Sequence, residues 1–144
     1  MLSKWFKGAK ELAPFVLRMA LGVIFLAHGS QKLFGAFGGQ GMAGVVGMMK
    51  NLNVNPPVVW AWVVTLTEFL GGLGVLFGLL TRWAALGLAV NMAVAIALVH
   101  WKHGLFSGGG GFEYPMALFG MSLALLFWGP GKASIEGVFG KELS

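Results

Sequence analysis

The sequence has no cysteine, which excludes disulfides, thiolate metal sites, iron–sulfur clusters held by thiolates and any thiol redox chemistry carried by the chain itself. If electrons are handled here, another molecule carries them. Charge is nearly as scarce: Asp, Glu, Lys and Arg make up 10% of the 144 residues, and only five are acids. No two carboxylates are spaced for acid–base catalysis, and no serine stands in a nucleophile elbow. The run Gly108 to Gly111 lacks the Lys-Ser/Thr of a phosphate loop and reads as a flexible turn. The ten Lys/Arg form no block with interleaved aromatics; they sit at the ends of hydrophobic runs. Membrane topology and anionic headgroups account for them, and no nucleic-acid partner is expected.

What the chain has instead is apolar length. With 57% hydrophobic residues and a mean hydropathy of +0.79, it is too apolar for a soluble domain of this size, so the bilayer is its solvent. A crossing helix needs roughly 20 apolar residues to span about 30 Å of hydrocarbon. The pattern predicts an all-α integral membrane four-helix bundle, antiparallel, forming one domain over residues 1–144 with spans at about 14–34, 58–80, 83–101 and 113–128. Pro14 suits a first turn, Thr81 and Arg82 leave room only for a tight helical hairpin, and Gly129-Pro130-Gly131 stops the last span. Between spans 1 and 2, Met42, Val45, Val46, Met48, Met49 and Leu52 share one side of a segment too short to cross. This segment, about 42–53, is expected to be interfacial or re-entrant.

At the N-terminus Lys4, Lys7 and Lys10 recur beside Trp5, Phe6 and Leu12, which suits a short headgroup helix. It reads as an anchor rather than a cleaved export signal, because the apolar run that follows is about twice the usual length for one. Lys4, Lys7, Lys10, Arg82, Lys132 and Lys141 fall on one side of the membrane, and Lys50 and Lys102, with Lys32 at a span end, on the other. The richer side is expected to be cytoplasmic, so a multi-pass protein of the cell (inner) membrane with both termini inside is predicted. Trp60, Trp62, Trp83, Trp101 and Trp128 lie near span ends, as belt residues do. Gly71, Gly72, Gly74 and Gly78, with the stripe Ala85, Ala89, Ala93 and Ala97, let backbones approach closely. Packing within one bundle is the first reading, and a homo-oligomer face the second.

An ionisable group at membrane depth costs a few kcal/mol on insertion scales. Arg18 and Lys32, near the two ends of span 1, can extend toward headgroups. Glu68 cannot, because it sits mid-span. At about 1.5 Å per residue, Glu68 lies ~15 Å below the outer boundary and His28 ~9 Å below it, about one turn apart. Lys32 is one further turn out on the same face, and Arg18 is a rival partner from below. Gln31, His100, Lys102, His103, Glu113 and Tyr114 gather at the outer mouth. They read either as interfacial residues that satisfy one another or as the site for the polar head of a lipophilic ligand. His100-x-x-His103 lacks a third ligand, so no metal is expected. Asn91, mid-span, is expected to bond another helix.

Four segments resemble the DoxX family of small membrane proteins: Arg18-x-x-x-Gly22-x-x-Phe25-x-x-His28-Gly29-x-x-Lys32; Glu68-Phe-Leu-Gly-Gly72 with Gly78-Leu-Leu-Thr-Arg82; Gly109 to Tyr114 running on into Pro115; and Gly129-Pro-Gly-Lys-Ala-Ser134. One departure is Ser134-Ile135-Glu136, where the family commonly has Ser-x-Asp. The resemblance implies a four-helix fold associated with oxidoreductase systems, some of them quinone-reducing, and recurrent polar positions at Arg18, Lys32, Glu68, Arg82, Glu113 and Ser134. The expectation is a membrane subunit that interacts with quinone or quinol beside a partner oxidoreductase. Glu68 would relay a proton, and His28, Lys32, Arg18, Glu113, Tyr114 and His100 would bind the quinone. The alternative is a non-catalytic scaffold or small-molecule carrier that assembles with a partner protein.

Overall fold

The computed structural model describes residues 9–140, and every regular element among them is helical. The α-helices are α1 (Leu12–Phe34), α2 (Gly41–Asn51), α3 (Pro57–Phe77), α4 (Thr81–Ala95), α5 (Glu113–Trp128) and α6 (Ile135–Phe139). Most of the expected N-terminal headgroup helix, and Lys141, lie outside the described residues. Helix α4 continues without a break through a π-helical segment, Ile96–His100, and a 3-10 turn, Trp101–His103. Among the described residues three helical stretches are long and apolar enough to cross a membrane: α1, α3 and Thr81–His103. Helix α5 is apolar too but has 16 residues, which at 1.5 Å each give it a length of ~24 Å.

Helix ends follow local chemistry. Pro57 opens α3, where a missing N–H is harmless. Gly78 closes it in the left-handed conformation, φ 67°, and the following Leu79 N–H bonds back to Gly74 O at 2.8 Å. The helix therefore ends at Phe77, three residues short of the expected Leu80, and residues 78–80 make the turn into α4.

Glycine sets how α1 and α3 meet. A Cβ at Gly29 would lie 2.6 Å from Phe69 N, one at Gly72 would lie 2.6 Å from Leu26 N, and one at Gly22 would lie 2.7 Å from Leu76 Cβ. The two backbones touch where only glycine fits. Gly71 faces the other way, toward Leu88 of α4. Of the alanine stripe, Ala85 and Ala89 are buried while Ala93 and Ala97 are exposed, so only its first half packs within the chain. Leu21, Phe25, Val75, Leu88 and Leu125 form the centre of the main core. Helix α2 lays Val45 and Met49 on Ala61 at the start of α3, a second apolar cluster beside the first.

Candidate functional site

The buried face of α3 carries Ala61, Thr65, Glu68, Gly72 and Val75, spaced by three and four residues. Glu68 thus occupies a core position, and its side chain is 4% exposed. Lys32 Nζ donates to Glu68 Oε1 at 2.5 Å, and Asn91 Nδ2 of α4 donates to the same oxygen at 3.0 Å. Among the described residues the other oxygen, Oε2, is buried and has no hydrogen-bond partner, as is also true of Thr65 Oγ1 one turn away. An unpaired buried acceptor costs about 1–3 kcal/mol, so Oε2 is fit to carry a proton or to meet a ligand donor.

Depth alone leaves His28, Lys32 and Arg18 all eligible as the partner of Glu68. The contact at Gly29 decides among them. By bringing α1 onto Phe69, it places the next turn of α1, with Lys32, within reach of the neighbouring residue, Glu68. Asn91 makes the interhelical bond expected of it, and its acceptor is this carboxylate.

Beside the pair is a cavity of about 330 Å³, at the lower end of the range for small-molecule sites. Its polar wall is Lys32, Glu68, Asn91, His28, His100 and Tyr114; most of the rest is apolar, with Phe25, Met48, Trp60 and Met92 among the lining residues. The π-helical segment contributes Leu98, Val99 and His100. π-Helical turns are rare and concentrate at functional sites; here the turn falls in the cavity wall. The cavity reaches the helix surface beside Trp60, Val94 and Leu98, each 45–48% exposed. His28 lines it, is exposed there, and makes no hydrogen bond among the described residues.

Of the remaining predicted residues, Tyr114 lines the cavity, and His100 lines it while its Nδ1 donates to Gly110 O at 2.7 Å. Glu113 does not line it; its carboxylate accepts from Ser107 N at 2.6 Å and closes the 107–113 loop. Arg18 is at the other end of the bundle, 2% exposed. It neither reaches the headgroups nor meets Glu68. Its guanidinium donates to Val75 O (2.9 Å), Leu76 O (2.9 Å), Pro130 O (3.1 Å) and Ala133 O (2.6 Å). The last carbonyls of α3 have no partners within the helix, and a cation satisfies both them and the negative end of the helix dipole. Lys32, at 25% exposure, likewise turns inward.

Sequence reasoning missed three contributors. Met48 and Trp60 form cavity walls. Glu136, buried, accepts from Thr81 N at 2.7 Å and Thr81 Oγ1 at 3.1 Å, holding the first turn of α4. The departure Ser134-Ile135-Glu136 keeps this charge, and Ser134 Oγ caps α6 by accepting from Gly137 N at 2.8 Å. No group of three or more His, Asp or Glu is gathered for a metal ion among the described residues.

These features define a small helical membrane protein with an ammonium–carboxylate pair buried at the head of an apolar cavity. The DoxX family model matches residues 13–101, which include His28, Lys32, Glu68, Asn91 and His100, and the chain belongs to the DoxX family. It is 33% identical over 115 residues to "Putative oxidoreductase CatD" of Bacillus subtilis, covering 80% of this chain and 79% of that protein. It is 29% identical over 136 residues to "Inner membrane protein YqjF" of Escherichia coli, covering 94% of this chain and 98% of that protein. No solved structure matches.

Proposed function

We propose that this protein is the quinone- or quinol-interacting membrane subunit of an oxidoreductase system, with the cavity beside Glu68 as its ligand site. The observation that carries this reading is Glu68 Oε2, buried without a partner in the wall of an apolar cavity that also holds an unpaired imidazole, His28. A quinone supplies a two-electron, two-proton redox couple when bound. The residues present fit its polar head: Lys32 and His28 can donate to a carbonyl oxygen, and Glu68 Oε2 can take or give a proton there. Phe25, Trp60 and Met92 suit an apolar ring. The surface opening beside Trp60, Val94 and Leu98 suits a ligand that arrives from the hydrocarbon with a tail left in it. Electrons pass to or from a partner protein, since no thiol of this chain can hold them. The resemblance to a protein named as an oxidoreductase supports the same class.

In this reading the chain is one membrane domain that crosses the bilayer four times, with α1, α3, the α4 rod and α5 antiparallel and α2 at the outer face. Two observations support it. Gly22 meets Leu76, whereas Gly29, further along α1, meets Phe69, earlier on α3. Only residues 78–80 separate α3 from α4. The Lys/Arg excess puts both termini in the cytoplasm, and the inner-membrane relative supports the cell membrane as the location.

The test is purification of the intact protein in mild detergent, extraction of co-purifying lipid, and titration of the delipidated protein with a short-tailed quinone. Stoichiometric quinone, and binding weakened in His28→Phe and Glu68→Gln variants that remain folded, is the expected result. A partner protein retained with no quinone bound would instead establish the scaffold or carrier role.

A further inference from the structure

A second cavity, about 230 Å³, lies on the other side of Lys32. Gln31, Gln40, Gly44 and the glycines of residues 38–41 line it, so glutamine amides and glycine backbone are part of its wall, beside Val45 and Met48. Two residues, Lys32 and Met48, line both cavities and form the partition between them. The chemistry of the two walls differs. The first cavity reaches the surface beside the apolar Trp60, Val94 and Leu98, whereas the second opens at the exposed Gly38 and Gln40, where glutamine amides and backbone offer water hydrogen-bond partners. The ammonium of Lys32 thus bonds Glu68 in the wall of the first cavity while its own residue also borders the second.

The opposite direction is closed. Between Glu68 and the inner end of the bundle lie Leu21, Phe25, Val75 and Leu125, each 0–1% exposed, and beyond them Arg18 with its guanidinium bonded to four carbonyls. Among the described residues, neither cavity is lined by Leu21, Val75, Leu125 or Arg18.

We propose that the second cavity is the aqueous proton port of the Glu68 site, so that protons reach and leave Glu68 through water in that cavity and the Lys32 ammonium, from the membrane face on which the 35–41 loop lies. This rests on the reading that Glu68 exchanges protons. In uptake, the Lys32 N–H bond breaks and a proton passes to the Glu68 carboxylate. The resulting neutral amine takes a proton from a hydronium ion or buffer acid in the port, which restores the ammonium. Release runs the same two transfers in reverse. Charge and proton count balance without any redox partner; the proton arrives on Oε1, the oxygen that Lys32 and Asn91 share, and rotation of the carboxyl group carries it to the ligand side, where Oε2 lies.

The absence of cysteine makes the test direct, since one introduced thiol is the only thiol present. Gln40→Cys, at an exposed position on the port, is reconstituted as the full chain in proteoliposomes and treated from the loop side with an impermeant anionic thiosulfonate. The readout is the rate at which Glu68 follows a pH jump on that side, by difference infrared spectroscopy, with its band assigned by loss in Glu68→Gln. The same sample before modification shows that the variant folds, and Ser107→Cys, away from both cavities, is the control for labelling itself. Modification at position 40 should slow the response by about a hundredfold, the low end of what a positioned proton-transfer group contributes, and the control should not change. An unchanged rate, or a faster response to a jump on the opposite side, overturns the port while leaving proton exchange at Glu68 intact. A Glu68 band that never titrates removes the proton-exchange reading and the port with it.

Discussion

The Lys32–Glu68 pair should be lopsided in stability, because its two members differ in their means of escape. Glu68 is 4% exposed and locked in the α3 face, whereas Lys32 is 25% exposed and borders two cavities on a flexible stem. In Lys32→Met the carboxylate keeps only the Asn91 hydrogen bond. An uncompensated buried charge costs about 3–5 kcal/mol, and the hydrogen bond that Asn91 still donates brings the expected loss to the lower end, about 3 kcal/mol. In Glu68→Gln the side-chain oxygen still accepts from Asn91 and the ammonium can turn into a cavity, so the loss should be about 1–2 kcal/mol. The double variant should recover about 1–2 kcal/mol relative to the sum, because it leaves no charge stranded. Reversible unfolding in mixed detergent micelles measures all four proteins. A Lys32→Met variant no less stable than Glu68→Gln, or losses that simply add, would refute the account of Glu68 as the trapped member.

Two further outcomes test the frame around the site. Arg18→Lys replaces a planar fork by a point charge that cannot reach four carbonyls on three sides, and Arg18→Met satisfies none of them; the losses should be about 2 and about 3–5 kcal/mol in the same unfolding assay. Gly72→Val forces α1 off α3 where a Cβ would sit 2.6 Å from Leu26 N. It should lower both stability and quinone binding, whereas valine at Gly47, where a Cβ meets nothing within 4 Å, should change neither by more than about 0.5 kcal/mol.

Much of this architecture is legible in the sequence because hydropathy and helix rise are one-dimensional. Runs of apolar residues mark the crossing helices, and counting residues from their ends puts Glu68 near His28 and Lys32. The choice among its partners is not one-dimensional. It turns on a backbone contact at Gly29, which appears in the sequence only as one glycine among 24. Arg18 is misread for a related reason. Its position one turn into the expected first span suggests escape to the headgroups, but the acceptors that hold it come from the end of α3 and from residues 130 and 133. The π-helical widening of α4 has no residue signature at all, since Ile96 to His100 read as ordinary helix. Asn91 could be assigned its type of bond, because a mid-span amide in an apolar helix needs a partner, but the identity of that partner depends on how α3 and α4 are rotated.

The cage around Arg18 bears on biosynthesis. Two of its four carbonyls belong to α3 and two to Pro130 and Ala133, so a ribosome that has released α1 through α4 into the bilayer has delivered a cation with half of its ligands. Assembly of the Arg18 end waits for the segment after α5, which also brings Glu136 to the first turn of α4. A nascent chain arrested before that point keeps a half-solvated guanidinium in the membrane, the kind of lesion that quality-control machinery reads.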